Sequence, residues 1–315
     1  MSTESSRAVQ SAGARNGPAA ILAGMRPKQW LKNVLVFAAP LAAGSLFEPS
    51  VLLPSIGAFV AFCLMSSATY LLNDVRDVAS DRAHPVKRAR PVAAGELSRA
   101  TALTVAAALG AAAVALALAI NIGLAAVVVA YAVVTTVYSL WLKQEPVIEL
   151  ALLTLGFLLR AIAGGVASDL PISQWFLIVA GFGSLFMAAG KRFSELDRSL
   201  RATDGAGSPS STDHASARRS LSGYTSAYLR FVWGMSAAVT VTGYCLWAFE
   251  VSQAPATFPW ASWSVVPFVL AILRYAADID RGAAEAPEDV VLRDRVLLIM
   301  GALWLVLFAL GALGV

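Results

Sequence analysis

Long apolar stretches separated by short polar segments run through nearly the whole chain. A helix that crosses a bilayer needs about 20 mostly apolar residues. Nine stretches approach that length: 31–47, 54–73, 101–120, 122–142, 147–166, 174–190, 229–248, 262–278 and 296–315. The composition agrees, because 58% of the residues are hydrophobic and only 14% are charged, whereas soluble domains carry about 25% charged residues. The pattern predicts an all-α, polytopic membrane bundle of about nine transmembrane helices.

The positive charges indicate how the bundle is oriented. Of the 24 Lys and Arg residues, all except Arg160 lie in the N-terminal tail or in the second, fourth, sixth and eighth loops and their borders. Cytoplasmic loops carry an excess of Lys and Arg. We therefore expect the N-terminus and the even-numbered loops in the cytoplasm and the C-terminus outside. A net charge of +4 is too small to indicate a nucleic-acid partner.

The polar segments define the expected domains. Residues 1–24 are rich in Ser, Ala and Gly and lack the apolar core of a signal peptide, which predicts a disordered cytoplasmic tail before one transmembrane domain, 25–315. The loops at about 74–100 and 191–228 are long for connectors between spans. We expect them to form a cytoplasmic cap that carries the function. The two cysteines, Cys63 and Cys245, lie in apolar runs and are expected to pack as small hydrophobic residues.

Acidic and amide side chains recur where the second span ends, in the sequence NDVRDVASD. If the helix continues past the membrane, Asn73, Asp77 and Asp81 share one face. Oxygen ligands without His or Cys suit a hard cation such as magnesium (Mg2+), which completes its coordination shell with water and phosphate oxygens. The pattern predicts a metal–diphosphate site with these three ligands, and with Asp74 as a further candidate. The alternative is a solvated helix end whose acids pair with neighbouring basic residues.

Basic residues occur in two regions, around the acidic row and at the start of the first span. They are candidates for binding phosphate oxygens through charge-assisted hydrogen bonds. Lys28 and Lys32 precede or begin the first span and would share one face of an α-helix. The alternative is that these cations only anchor the protein at the membrane surface. The full set of candidates in these two regions is Lys28, Lys32, Asn33, Arg76, Lys87, Arg88 and Arg90.

A second polar group follows the sixth span. Lys191 and Glu195 are four residues apart, and so are Tyr224 and Tyr228 before the seventh span. The candidate substrate-binding residues here are Lys191, Arg192, Glu195, Tyr224, Tyr228 and Arg230. Arg160 lies deep within a span, where an ionisable residue marks a cavity or an internal ion pair. Asp169 is one candidate for its partner.

These motifs resemble the UbiA superfamily of membrane prenyltransferases. The resemblance rests on N-D-x-x-D-x-x-x-D after the second span and R-P-x-Q-W-x-K-N at the start of the first, and it extends from about residue 25 to the C-terminus. It implies a helical bundle around a central cavity, with a cytoplasmic cap whose two Asp-rich motifs bind a diphosphate through Mg2+. This chain departs from the second motif, because Lys191 to Glu195 replaces the expected D-x-x-x-D.

One branch of the superfamily looks like this chain throughout, including the segments LRAIAGG and GKRFSEL. The branch implies transfer of 5-phosphoribose from 5-phosphoribosyl 1-diphosphate (PRPP) to decaprenyl phosphate at the inner membrane of a bacterium. The products would be decaprenylphosphoryl-5-phosphoribose and diphosphate, which serve cell-wall arabinan synthesis. Asn73, Asp77 and Asp81 would then be the catalytic residues. The alternative is an aromatic polyprenyltransferase, for which the second D-x-x-x-D would be expected, and a secondary transporter is a remote alternative. The sequence leaves open the polyprenyl length and whether the protein forms a homo-oligomer.

Overall fold

The computed structural model describes residues 17–84, 86–142, 145–204, 223–251, 258–282, 284, 290 and 294–314, and these residues contain no β-strand. A 3-10 helix spans Pro27–Phe37, a 3-10 turn spans Lys87–Ala89, and a π-helical turn spans Tyr138–Leu142. The α-helices in chain order are α1 Gly17–Met25, α2 Ala38–Ala42, α3 Pro49–Arg76, α4 Val78–Ala83, α5 Pro91–Ala94, α6 Arg99–Ile120, α7 Ile122–Val137, α8 Ile148–Ala167, α9 Gln174–Asp204, α10 Ser226–Val251, α11 Trp260–Asp280 and α12 Arg295–Leu313.

Eight helices in the described part of the chain are long and apolar enough to cross a membrane: α3 and α6 to α12. They correspond to eight of the nine predicted spans. The first predicted span, 31–47, differs, because the chain forms the 3-10 helix and then the short α2 instead of one continuous α-helix. Pro40 contributes to the break, since it has no N–H to bond the carbonyl of Val36.

This irregular segment nevertheless runs from one end of the bundle to the other. Arg26 contacts Asp74 at the end of α3, whereas a Cβ added to Gly44 would lie 2.1 Å from the carbonyl oxygen of Ala312 near the end of α12. A 3-10 helix rises about 2.0 Å per residue. Its 11 residues and the 5 residues of α2 therefore cover about 30 Å, the thickness of the hydrocarbon core. The predicted ninth crossing exists, but as a stretched segment.

Contacts between loops divide the bundle into two ends. At one end, the Ser168 hydroxyl donates to the Val51 carbonyl at 3.1 Å, and the Asn121 amide donates to the Val166 carbonyl at 2.9 Å. At the other, which we call the site end, Arg76 donates to the Leu140 carbonyl at 2.9 Å and Arg230 pairs with Asp280 at 3.1 Å. In the described residues, the borders of the first, third and fifth loops thus lie at one end and those of the second, fourth, sixth and eighth at the other, as alternating crossings require. Which end faces the cytoplasm stays a prediction from the charges.

Helices are present in all three segments predicted to lie outside the spans. Residues 17–24, predicted as disordered tail, belong to α1, which packs on α3 with Gly24 against Leu71. Residues 1–16 lie outside the described residues, as do 205–222 of the second long loop. The helix α9 continues to Asp204 instead of ending at the membrane edge. Loop 74–100 forms α4, the 3-10 turn and α5 at the site end.

Candidate active site

The acidic row keeps its predicted spacing across a break in the helix. Helix α3 ends at Arg76, Asp77 occupies a turn, and α4 begins at Val78. The N–H of Asp77 still bonds the Asn73 carbonyl at 2.9 Å, and the N–H of Asp81 bonds the Asp77 carbonyl at 2.8 Å. These bonds preserve the helical four-residue repeat, so the three side chains follow one another along one side. Asn73 and Asp77 are half-buried, and Asp81 is buried.

Two arginines engage the buried acids of this segment. Arg90 pairs with Asp81 at 2.7 Å and with Asp74 at 3.3 Å, and Arg26 also contacts Asp74. Asp74 is only 1% exposed as a side chain. It therefore anchors the N-terminal segment and loop 74–100 to the end of α3, which differs from the metal-ligand role expected for it.

The donor set fits a magnesium ion that arrives with phosphates, but not a complete protein cage. No group of three or more His, Cys, Asp or Glu residues within the described ranges is arranged to hold a metal. Asn73 and Asp77 are half-buried and not fully enclosed, while the Asp81 carboxylate is paired with Arg90. Mg2+ usually binds through one or two carboxylates and completes its shell with water and substrate phosphates. Asn73 and Asp77, with the more buried Asp81 next in the row, are sufficient to bind Mg2+ in this way.

The segment before α2 presents its cations differently from the prediction. In a 3-10 helix, residues three apart share a face, so Lys28 and Lys32 point about 120° apart. The burial pattern follows this period, because Lys28, Leu31 and Val34 are exposed whereas Asn33 is fully buried. Only Lys28 is exposed toward solvent, and Lys32 is half-buried. The expected shared face of the two lysines was wrong, since it assumed α-helical geometry.

The two cations of the second motif have separate environments. Arg192 contacts the carboxylates of both Glu149 and Glu195, and its side chain is 15% exposed. Lys191 is 45% exposed and lies 3.8 Å from Glu195. Arg192 is therefore committed to an internal ion cluster, whereas Lys191 remains accessible to a ligand.

Glu149 is the buried centre of this cluster, and sequence reasoning missed it. Its side chain is 1% exposed and occupies the first turn of α8. An acid in the first turn is favoured by the helix dipole, which was the available signal. The Tyr224 hydroxyl donates to Glu149 at 3.3 Å and accepts from the N–H of Val147 at 3.0 Å. Burial, reinforced by the nearby Glu149 carboxylate, raises the pKa of Tyr224 to about 12, so the hydroxyl stays protonated.

The other residues predicted after the sixth span line the same end. The ring of Tyr228 stacks on Tyr224 at 6.0 Å between centroids. Arg230 lies over the Phe193 ring at 5.4 Å and pairs with Asp280 at 3.1 Å. These contacts make the tyrosine pair and Arg230 part of the wall of the site end.

The π-helical turn Tyr138–Leu142 connects the two polar motifs. Arg76, next to the acidic row, donates to the carbonyls of Ser139 and Leu140. Arg192, in the second motif, lies 3.4 Å from the Tyr138 hydroxyl. The first and second motifs therefore flank one turn, as two halves of one site would. Exposed cations at this end include Lys28, Lys87, Arg88 and the side chain of Lys191.

Arg160 has neutral partners and not the acid considered from sequence. Its Nε donates to the Asn33 amide oxygen at 2.8 Å and its Nη2 to the Tyr131 hydroxyl at 2.5 Å. Asp169 lies at the opposite end of the bundle, in the loop after α8, with a backbone φ of 51°. The suggested Arg160–Asp169 pair is wrong.

A membrane helical bundle with oxygen ligands and exposed cations at one end has the features of an enzyme that binds a diphosphate at a membrane surface. The chain belongs to the UbiA prenyltransferase family, whose model matches residues 34–293.

Relatives of known activity are similar over almost the whole chain. Decaprenyl-phosphate phosphoribosyltransferase of Mycobacterium tuberculosis (strain ATCC 25618 / H37Rv) is 47% identical over 296 residues, 91% of this chain and 94% of the relative. The enzyme of that name from Mycolicibacterium smegmatis is 45% identical over 302 residues, 92% of each chain. A UbiA homolog from Archaeoglobus fulgidus, solved with DMAPP and Mg2+ bound, has a TM-score of 0.68 at 17% identity. That comparison covers 94% of this chain and 99% of the homolog, and it supports the fold alone.

Proposed function

We propose that this protein transfers 5-phosphoribose from PRPP to a polyprenyl phosphate, decaprenyl phosphate in the relatives' name, and releases diphosphate. The observation that carries the proposal is the second motif. Lys191 is exposed where the family resemblance expects an acid, and the remaining acid, Glu195, is paired with Arg192. A cation suits a donor with a phosphate besides its diphosphate, and it disfavours the second acidic metal site that an aromatic prenyltransferase expects.

The acidic row would hold the leaving group of this reaction. Bound Mg2+ would supply positive charge that stabilises the departing diphosphate. Asn73 and Asp77 would hold it, with Asp81 as a third candidate ligand. Arg90, together with exposed Lys87 and Arg88, would supply further positive charge for the phosphate oxygens. Charge-assisted hydrogen bonds from these cations would stabilise the leaving group as its charge grows.

The acceptor needs no general base in this reaction. A phosphate monoester has a second pKa of about 6 and is largely ionised at neutral pH. One of its oxygens bonds C1 of the ribose while the C1–O bond to diphosphate breaks, and the electron pair leaves with the diphosphate. The protein's task is then to hold the acceptor phosphate on the face of C1 opposite to the leaving diphosphate. The site end would face the cytoplasm of a bacterial inner membrane, because it carries the basic loops.

The test uses the purified protein with Mg2+ and PRPP that is radiolabelled in its ribose. It measures transfer of the labelled 5-phosphoribose to decaprenyl phosphate. Asp77→Asn should lower kcat by about 100-fold or more, because it removes a charged ligand that acts on the leaving group. Lys191→Ala should raise the donor KM by about 10-fold, because one charge-assisted hydrogen bond is lost. Arg99→Gln removes an exposed cation at the first residue of α6 and serves as the control for a change of surface charge at the same end. Absence of transfer by the wild-type protein, or normal turnover by Asp77→Asn, would contradict the proposal.

A further inference from the structure

A buried cation lies in the interior of the bundle, below the acidic row. The side chain of Arg160 is on α8, and the residue is 7% exposed. It bonds Asn33, Tyr131 and the Gly156 carbonyl at 2.8, 2.5 and 3.1 Å. Asn33 is fully buried and Tyr131 is 2% exposed. Both side-chain partners are therefore at least as buried as Arg160 itself.

The charge of Arg160 is not compensated by a carboxylate within the described residues. Its three hydrogen-bond acceptors are neutral, and the rings of Tyr131 and Phe157 lie 4.6 and 5.5 Å from its guanidinium carbon. A guanidinium carries five N–H donors, and the three bonds leave two of them without an acceptor. An ionised group in an apolar bundle is expensive unless a counter-charge accompanies it. The cluster is therefore suited to receive an anion.

The guanidinium points toward the acidic row. Side chains in an α-helix lean toward its N-terminus, and the N-terminus of α8 is at the site end. The bond from Nη1 to the carbonyl of Gly156, one turn nearer that end, has this direction. The Tyr131 hydroxyl also lies within hydrogen-bonding reach of Thr69. Thr69 precedes Asn73 by one turn of α3, which is about 6 Å.

We propose that Arg160, oriented by Asn33 and Tyr131, binds the phosphate group of the lipid acceptor on the membrane side of the donor. This inference rests on the proposed function and specifies where its second substrate binds. The two remaining N–H donors match two oxygens of a phosphate in the bidentate geometry that arginine favours. The polyprenyl tail would then continue among the apolar helices, with no need to leave the bilayer.

This location also satisfies the geometry of displacement at C1. The diphosphate leaves toward Asn73 and Asp77, so the attacking phosphate oxygen must approach C1 from the opposite side. A phosphate held by Arg160 lies below the acidic row and meets that requirement. Asn33 is a positioning residue, since its amide oxygen fixes Nε of Arg160 while its own N–H groups face Cys63 and Ser66 at 3.3 and 3.4 Å.

The experiment measures acceptor binding separately from turnover. Wild type, Arg160→Gln and the control Arg99→Gln are titrated with decaprenyl phosphate and with decaprenol in nanodiscs, without PRPP. Arg160→Gln should bind decaprenyl phosphate about 10- to 100-fold more weakly, because charge-assisted bonds to phosphate are lost. Binding of decaprenol should not change, and the donor KM should stay within about twofold of wild type. Unchanged binding of decaprenyl phosphate by a folded Arg160→Gln protein would overturn the inference.

A structure of the wild-type complex with decaprenyl phosphate keeps the inference testable if the variant does not fold. The phosphate is expected in direct contact with the Arg160 guanidinium, and a phosphate bound only by surface lysines would refute the subsite. The two proposals fail separately. Transfer by the wild type with Arg160-independent lipid binding rejects only the subsite, whereas Arg160-dependent lipid binding without transfer rejects only the proposed reaction.

Discussion

Replacing Arg192 by Met tests whether this cation builds the site or binds the substrate. Arg192 joins Glu149 in the first turn of α8 to Glu195 on α9. Because Glu149 is only 1% exposed, Arg192→Met leaves a buried carboxylate with Tyr224 as its nearest hydrogen-bond donor. Breaking a buried ion pair from one side costs about 3–5 kcal/mol. At about 2.1 cal/mol/K of unfolding entropy per residue, a chain of 315 residues changes its Tm by about 1.5 °C per kcal/mol. We therefore expect a fall in Tm of about 5–8 °C.

The double variant Glu149→Leu with Arg192→Met should recover most of this loss. Apolar residues of similar volume often replace a buried ion pair at little net cost. Thermal unfolding in detergent gives the three Tm values, and the PRPP titration gives the donor KM of the double variant. Lys191→Met is the matched control at the adjacent, exposed position, and it should raise the donor KM without changing Tm. A Tm fall below about 2 °C for Arg192→Met, or no recovery in the double variant, would refute the structural role.

Two further predictions concern packing and pH. Gly164→Ala should lower Tm, because its Cβ would lie 2.1 Å from the Val36 carbonyl oxygen and overpacking costs about 1–3 kcal/mol. The control Gly181→Ala has nothing within 4 Å of the added Cβ and should leave Tm equal or higher. A lower Tm for Gly181→Ala than for Gly164→Ala would contradict the close packing at Gly164. Asp294 caps α12 and accepts from Arg274, and this hydrogen bond lowers the pKa of Asp294. Its stabilisation is therefore present above the ordinary carboxyl pKa of about 3.9 and is lost as the pH falls below it, so Asp294→Ala should lower Tm near neutral pH and converge with wild type in acid. An equal Tm difference at both pH values would show that the charge is not responsible.

Much of the architecture was predictable because the bilayer imposes it. The length of an apolar run is limited by the hydrocarbon thickness, and basic loops face one side. Eight of the predicted spans accordingly correspond to long helices, and the even-numbered loops meet at one end. The acidic row was also predictable, since a four-residue repeat places Asn73, Asp77 and Asp81 on one side even across the turn at Asp77.

The remaining features depend on contacts between distant residues. The 3-10 helix has a repeat of 3.0 residues instead of 3.6, a difference that 11 residues of sequence do not resolve. Close packing of Gly164 on the Val36 carbonyl accompanies this form. The partner choices of the arginines were equally inaccessible, because Arg26 meets Asp74 across 48 positions and Arg192 meets Glu149 across 43. The distribution of charge indicated that these arginines lie at one end of the bundle, but not which acid each of them pairs with.

Seven cations at the site end fall into two groups with different consequences for function. Arg26, Arg90 and Arg192 neutralise buried acids and connect the N-terminal segment, loop 74–100, α8 and α9. Lys28, Lys87, Arg88 and Lys191 are exposed around that framework. A ligand that carries several phosphates needs the second group, while the first group holds the loops at a fixed spacing. Arg90 connects the two, because it pairs with Asp81, a proposed metal ligand, and is close in sequence to the exposed Lys87 and Arg88. Donor binding should therefore be coupled to loop 74–100 through Asp81 and Arg90, with the protection of the loop from hydrogen exchange changing only when both Mg2+ and PRPP are present.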